Sequence, residues 1–545
     1  LKKKFALLFA LMLSFSSVFV VVHPAEAAGY DSSFIRGADI STLADMERAG
    51  AKYYENGVQK DPLQILKDNG ANYVRLRIWN DPKDAAGNTY GAGTNDLKTT
   101  IDLAKRAKAK GMKVLLDFHY SDFWVDPGKQ NLPKSWQGLS FEQLNTKVYD
   151  YTYSVLAEMK KQNVYPDMVQ IGNELNSGML WPHGKSWGEG GGEFDRLAAF
   201  LKSGIKAVKD TEPKDTTLML HLAEGGNYET FKWWFDEITA RNVEYDTIGI
   251  SYYPYWHGTL DDLETNMNNI SKRYGKDVIV VETAYGHTTG NADAKENAFG
   301  QEEAATAGYA ATPKGQHDFM QDLVTSIQQV PNKKGTGFFY WEPLWNNGKV
   351  SWATPAGMNY LGVTDEPGNE WDNQAIFDFN GNALDAVKIF GTPNTGAQTN
   401  YVKNPSFESG GYTGTPADWT KWTASGTTGT AVKTEADALD GNYKLTFWDT
   451  KAYDASVYQQ LTGLPNGTYK LSAWVKSGGT HITSEIYAKN GSTQVKQTTP
   501  GVAADWTKVT LDNVKVTDGK LEIGVYNKAQ ANAWLNVDHI KLQKK

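Results

Sequence analysis

Between residues 34 and 390, short apolar runs alternate with stretches of helical spacing, and this alternation restricts the fold more than any other feature of the chain. The runs are F-I-R-G-A-D-I at 34 to 40, Y-V-R-L-R-I-W at 73 to 79, K-V-L-L-D-F-H-Y at 113 to 120 and M-V-Q-I-G-N-E at 168 to 174. They continue with T-L-M-L-H-L-A at 217 to 223, T-I-G-I-S-Y-Y at 247 to 253, D-V-I-V-V-E-T at 277 to 283 and T-G-F-F-Y-W-E at 336 to 342. Between them lie segments such as L-K-T-T-I-D-L-A-K-R-A-K-A-K at 97 to 110, whose apolar residues return every three to four positions, as in a helix with one buried face. Eight such units predict an α/β fold, a closed (β/α)8 TIM barrel, over 28 to 390. An open nucleotide-binding sheet would want a glycine-rich turn after its first strand, and R-G-A-D-I-S at 36 to 41 is not one.

The pattern changes at G-T-P-N-T-G-A-Q-T-N, 391 to 400, which reads as a short linker. From 401 to 545, runs such as Y-K-L-S-A-W-V and K-L-E-I-G-V-Y alternate with Gly and Asn turns, predicting an all-β jelly-roll sandwich. At the other end, K-K-K at 2 to 4, a long apolar run and H-P-A-E-A-A form the order of a secretory signal peptide, 1 to 27, with cleavage after Ala27. A secreted, extracellular protein with no membrane attachment after cleavage is therefore expected, as a monomer. There is no cysteine, so disulfides and thiol chemistry are excluded. A formal charge of −8 argues against nucleic acid as a partner, which would need a basic stripe. The 18 Trp and 28 Tyr exceed what cores need and point to flat platforms for sugar rings.

Chemistry in a barrel gathers at the C-terminal ends of its strands. Glu174 ends the fourth run and Glu282 the seventh, so two carboxyl groups face one mouth. Like charge keeps one such carboxyl protonated while the other ionises, which is the equipment for cleaving a glycosidic bond. Glu174, preceded by Asn173, is assigned as general acid/base, with Asn173 available to a sugar hydroxyl. Glu282 is assigned as nucleophile. Arg75 and Arg77 share one strand face, and Arg77, nearer the mouth, is expected to pair with Glu282; Tyr253 is expected to donate a hydrogen bond to it. The two carboxyl groups should lie about 5 to 5.5 Å apart, giving retention of configuration. Glu342, at the end of the eighth run, is the competing acid. His119 is a further supporting candidate, and Asp39, Trp79, Trp124, Tyr252, Trp256, Trp341 and Trp345 are substrate-binding candidates. His119 and His221 lack the pattern of a catalytic metal site, so no cofactor is expected for the chemistry.

G-A-D-I-S at 37 to 41, N-Y-V-R-L-R-I-W-N at 72 to 80, L-L-D-F-H-Y-S-D-F-W-V-D-P-G-K-Q at 115 to 130, Q-I-G-N-E-L-N-S-G-M-L-W-P at 170 to 182 and S-Y-Y-P-Y-W-H-G at 251 to 258 resemble the arabinogalactan endo-β-1,4-galactanases, glycoside hydrolase family 53. The resemblance spans about 34 to 390 and implies retaining hydrolysis of β-1,4-galactan side chains of pectin. It gives Glu174 and Glu282 the same roles as the residue-level reading. It also implies a structural calcium in the loop after the seventh strand, where Asp293 and Asn297 are available. The tail resembles a carbohydrate-binding module, galactan being the expected ligand. That likeness implies a calcium shared by Glu408 and Asp538 and a platform drawn from Trp419, Trp422, Trp448 and Trp506, whereas Trp474 and Trp534 look like core. Two other readings stay open: a mannanase, xylanase or cellulase with the same pair of glutamates, and a glycan-binding protein without activity.

Overall fold

The computed structural model describes residues 30–188, 193–212, 216–391 and 400–545. The expected leader, 1 to 27, and residues 392 to 399 of the expected linker lie outside the described residues. Eight parallel strands close into a barrel: β1 (Ile35–Asp39), β2 (Tyr73–Ile78), β3 (Lys113–Phe118), β4 (Met168–Ile171), β5 (Thr217–Leu222), β6 (Thr247–Ser251), β7 (Asp277–Thr283) and β8 (Gly335–Tyr340). Closure is made by β1 against β8, with Ile35 opposite Gly337 and Ala38 opposite Tyr340. Helices Pro62–Asp68 (α1), Leu97–Ala109 (α2), Phe141–Lys161 (α3), Glu193–Thr211 (α4), Tyr228–Ala240 (α5), Leu260–Tyr274 (α6) and Pro313–Gln328 (α7) form the connections. Their starts are marked locally. Asp96 accepts the Thr99 N–H ahead of α2, Ser140 and Gln143 form a reciprocal cap on α3, and Thr259 and Asp262 do so on α6.

The two-residue period of the strands sorts the barrel interior into layers. Ile35, Tyr73, Leu115, Met168, Met219, Ile279, Val281 and Phe339 fill its lower half as one apolar cluster. Strand β6 contributes Gly249 to this layer, since a Cβ there would come within 2.6 Å of the Met219 sulfur. Two residues further along, the same strands turn polar: Arg75 follows Tyr73, Asp117 follows Leu115, Gln170 follows Met168, His221 follows Met219 and Ser251 follows Gly249. The alternate residues, such as Val74, Leu76, Val114 and Leu116, pack outward in the main core. An apolar plug thus supports a buried polar layer that opens upward into the mouth.

The tail is a sandwich of two five-stranded antiparallel sheets. Its strands are Thr420–Thr423 (β9), Val432–Glu435 (β10), Lys444–Trp448 (β11), Tyr453–Thr462 (β12), Gly467–Gly478 (β13), His481–Asn490 (β14), Thr493–Thr498 (β15), Ala503–Val516 (β16), Lys520–Ala529 (β17) and Trp534–Lys544 (β18). The sheet orders are β9-β12-β17-β14-β15 and β10-β11-β18-β13-β16. Two expected platform residues are not available to a ligand. Trp419 is buried and donates to the Asn404 carbonyl, and Trp506 is buried against Leu439 and Trp474. Trp422 and Trp448 are exposed, at 47% and 37%. Trp474 is buried, whereas Trp534 is half-buried and lies against Gly478.

The sandwich is clamped to the barrel. Glu264 on α6, 5% exposed, receives Lys508 at 2.6 Å and Lys541 at 3.6 Å; Lys508 also reaches Asp261 at 2.9 Å. Asn269 donates to the Trp506 carbonyl at 2.9 Å, Lys541 to Gln329 at 2.7 Å, and Lys232 pairs with Asp505 at 3.0 Å. Burial alone would raise the Glu264 carboxyl, but Lys541 and Lys508 outweigh it and hold it below its ordinary value of 4.5. Its contribution is therefore present above that value and lost as the pH falls through the folded one. Glu264→Ala takes the shared counter-charge from two nearly buried ammonium groups, leaving Lys508 to Asp261 and Lys541 to the Gln329 amide, so it is expected to cost about 3 kcal/mol. Scanning calorimetry should then resolve two unfolding transitions, one for each domain; a single unshifted transition would show that the clamp does not couple them.

Candidate active site

The mouth of the barrel holds a cavity of about 420 Å³ lined by Glu174, Glu282, Arg75, Arg77, Asn173, His119, Tyr253 and a set of tryptophans. Glu282 reaches it by a break in the strand pattern. Ile250 of β6 pairs with Val280, but Ser251 pairs with Glu282, so β7 carries one extra residue at Val281. Val281 and Glu282 both face inward as a result, and Glu282 sits at the level of Ser251, lower than regular alternation would leave it.

At that level the cation is Arg75, not Arg77. Arg75, 1% exposed, holds Glu282 at 2.8 Å, Asp117 at 2.8 Å and Asp39 at 3.0 Å, and donates to the Asn173 side-chain oxygen at 3.0 Å and to Gln170 at 3.3 Å. Burial disfavours its charge, yet Asp117, Glu282 and Asp39 outweigh that and hold it above its ordinary value. The expected Arg77–Glu282 pair does not form. Arg77 instead binds Glu342, whose carboxylate also takes the N–H and hydroxyl of Thr42. Burial raises Glu342 to about 7, against the pull of Arg77. Glu342 is thus spent on Arg77 and does not line the cavity.

The two glutamates differ in what touches them. Burial raises both. Glu282 is drawn back by the guanidinium of Arg75 and accepts the Tyr253 hydroxyl at 3.3 Å. Glu174 is pushed well above its ordinary value, by burial first and by Glu282 second, and no ion pair holds it among the described residues. The proton of the pair therefore belongs on Glu174. Glu174 follows β4 in a left-handed backbone conformation, φ 47°. Its N–H donates to His221 Nδ1 at 3.3 Å, and Gln170 Nε2 reaches the same nitrogen at 3.0 Å. His221 Nδ1 is therefore an acceptor, and Nε2 carries the hydrogen towards Ser251 Oγ at 2.8 Å. Burial, aided by Arg75 and His119, keeps this ring far below its ordinary value, hence neutral. Ser251 in turn hydrogen-bonds Glu174.

Asn173 spends one amide hydrogen on the Val125 carbonyl at 3.0 Å and keeps the other. His119 accepts from Trp79 Nε1 at 3.2 Å and meets Asp117 at 3.0 Å, a tautomer that braces the carboxylate shared with Arg75. Of the substrate-binding candidates, Trp124, Trp256, Trp341 and Trp345 line the cavity. Three do not. Asp39 is fully buried between the two arginines, Trp79 lies behind Trp124, and Tyr252 donates to the Gly258 carbonyl. Sequence reasoning missed Trp352, Trp371 and Glu370, which also line the cavity. They belong to the long segment after β8, remote from any strand end; its density of Trp was the available signal.

The expected calcium ligands do not make an oxygen cage as they stand. Asp293 accepts the N–H groups of Lys295 and Asn369, while Asn297 donates to Asp372, which burial raises to about 6. In the sandwich, Glu408 accepts from the N–H groups of Asn442 and Tyr443, and Asp538 from those of Leu439 and Asp440. Among the described residues no group of three or more His, Cys, Asp or Glu gathers as a ligand set.

With this geometry in view, the comparisons are specific. Residues 35–390 match the model of Glycosyl hydrolase family 53. The chain is 37% identical over 385 residues to an endo-beta-1,4-galactanase of Bacillus subtilis, covering 67% of this chain and 87% of that protein. It is 36% identical over 370 residues to an arabinogalactan endo-beta-1,4-galactanase of Cellvibrio japonicus, covering 66% and 91%. Among solved structures, the GH53 catalytic domain of Ignisphaera aggregans superposes with a TM-score of 0.61 at 42% identity, covering 67% of this chain and 97% of that one.

Removing Arg75 would leave buried Glu282 and Asp117 without their guanidinium and Asp39 with only the more distant Arg77, at 3.7 Å. Arg75→Met is expected to cost about 3 to 5 kcal/mol at neutral pH. The folded carboxyls would then hold protons more tightly than the unfolded chain does, so stability should recover as the pH falls. Denaturant unfolding at pH 7 and pH 5 measures this, and equal losses at both would mean that the carboxylates are not what Arg75 stabilises.

Proposed function

The chain belongs to glycosyl hydrolase family 53, and from that premise we propose that it is an endo-β-1,4-galactanase acting by retention, with Glu174 as general acid/base and Glu282 as nucleophile. The observation that carries this reading is the asymmetry of the pair: one cavity holds both carboxyls, and among the described residues only Glu282 is held by a cation.

In the first step Glu282 attacks the anomeric carbon, and Glu174 gives its proton to the departing glycosidic oxygen, so one bond forms as the other breaks. Arg75 and the Tyr253 hydroxyl keep the nucleophile ionised and aimed. The free amide hydrogen of Asn173 serves the hydroxyl next to the reacting carbon, where an interaction that tightens as charge develops lowers the barrier. Once the leaving group has gone, Glu174 is a carboxylate; it takes a proton from water, and that water releases the sugar from Glu282. The His221–Ser251 chain holds Glu174 in place through both changes of charge. The open, tryptophan-lined cavity suits attack within a chain.

The relatives' names supply galactan as the substrate, and the indole walls are compatible with it. Exposed Trp422 and Trp448 make the sandwich a second carbohydrate surface on the same reading, with Lys433 set 5.3 Å from the Trp448 ring. No helix among the described residues is long and apolar enough to cross a membrane, and the N-terminal pattern favours secretion.

The test is a time course on β-1,4-galactan beside xylan, mannan and glucan, with product size by chromatography and anomeric configuration by proton NMR. Short β-galacto-oligosaccharides from galactan alone are expected, and cleavage of another glycan instead would replace the substrate. Glu282→Ala is expected to lower kcat by about 10⁴-fold or more. Glu174→Gln is expected to lower it by about 10² to 10⁴-fold and to abolish the loss of activity at high pH, because that loss reports deprotonation of Glu174. Turnover by Glu282→Ala near the parent rate would remove it as nucleophile.

A further inference from the structure

Arg77 is left without the task its position predicted. Its guanidinium is 1% exposed, and three polar groups hold it on one side. Glu342 binds it directly, the Ala92 carbonyl accepts from it at 2.7 Å, and Asp39 stands 3.7 Å away. Nε makes no hydrogen bond among the described residues. The other side is aromatic: the guanidinium carbon lies 4.4 Å from the ring centre of Trp124, 5.4 Å from Trp79 and 5.9 Å from Trp341. Trp124 and Trp341 both line the catalytic cavity, 6.1 Å apart, and Trp341 meets Trp371 edge-on at 4.7 Å.

We propose that Arg77 is a positioning residue for the sugar. It fixes the tilt of Trp124 and Trp341, and with it the subsite that receives the apolar face of a galactosyl ring, without adjusting the charge of the reacting carboxyls. The attraction between a cation and an indole face grows as either is desolvated, and here Arg77 is buried while Trp124 and Trp341 are half-buried. The planar fork allows one group to bind Glu342 and Ala92 in its plane while an indole approaches its face; a lysine keeps the charge and loses that arrangement. Asp39 separates the two arginine systems, with one oxygen towards Arg75 at 3.0 Å and the other towards Arg77 at 3.7 Å. Thr42 holds Glu342 from behind, so the aromatic wall rests on a chain of buried contacts that starts outside the cavity. The proposal rests on the galactanase reading for the identity of the sugar.

The experiment compares Arg77→Lys with Arg75→Lys. Steady-state kinetics on β-1,4-galactan, product inhibition by β-1,4-galactobiose and near-ultraviolet circular dichroism are measured for each. Arg77→Lys is expected to raise KM and the inhibition constant by about tenfold, to change the indole dichroism, and to leave kcat and the acid limb of the pH profile close to the parent's. Arg75→Lys should do the reverse, lowering kcat with KM held. A fall in kcat for Arg77→Lys with KM and inhibition unmoved would overturn the proposal, as would no change in any readout. Should Arg77→Lys fail to fold, Glu342→Gln decides, since it keeps an acceptor for Arg77 but removes the charge that anchors it. A smaller rise in KM and in the inhibition constant is then expected, and unchanged constants with an unchanged dichroism overturn the proposal. Failure of the galactanase reading has a different signature: Glu282→Ala would keep its turnover, or galactobiose would not inhibit the parent protein.

Discussion

Everything above the apolar plug is arranged around the guanidinium of Arg75. Buried charges persist only when paired, and this one is paired three times, with Asp39, Asp117 and Glu282. Three negative charges on one positive leave a net negative site, which burial makes costly. That excess explains why protonation has to be shared out and why Glu174, the carboxyl with no cation of its own among the described residues, takes the proton. The same guanidinium fixes the Asn173 oxygen, so Glu282 and the amide beside Glu174 are set by one side chain. Asp39 then carries the order outward to Arg77 and the tryptophans.

The fold was readable because its signals are local. Eight apolar runs and their helical spacers follow from strand and helix periods; seven of the runs contain one barrel strand each, and the eighth strand starts one residue before its run. Glu174 and Glu282 were readable as strand-end carboxylates. The choice between Arg75 and Arg77 was not, because two residues on one face differ only in depth, and depth depends on the bulge at Val281. No single residue announces that extra position. V-I-V-V-E-T reads equally well as regular alternation.

The remaining misreadings share a cause of another kind. Asp39, Trp79 and Tyr252 stand at strand ends, as cavity residues do, but neighbours that the sequence does not place beside them cover each one. Trp352 and Trp371 are the converse, brought to the cavity by a segment that returns from far along the chain. In the sandwich, Trp506 looks like a ligand platform until α6 is set against it: a side chain suited to sugar is equally suited to an interdomain seam. Composition supplied the number of indoles correctly and could not divide them between these uses.

The clamp of Lys508 and Lys541 on Glu264 has a bearing on how the whole molecule meets a polymer. A module on a loose tether explores a volume and raises the local concentration of whatever it holds, in all directions alike. A module fixed on α6 explores almost nothing. On the proposed reading of the sandwich as a second carbohydrate surface, it offers a bound chain to the barrel at one distance and one angle, or not at all. Two grips set rigidly apart act as a ruler: they favour strands long enough and straight enough to reach both, and they discriminate by shape among polymers that are identical in linkage.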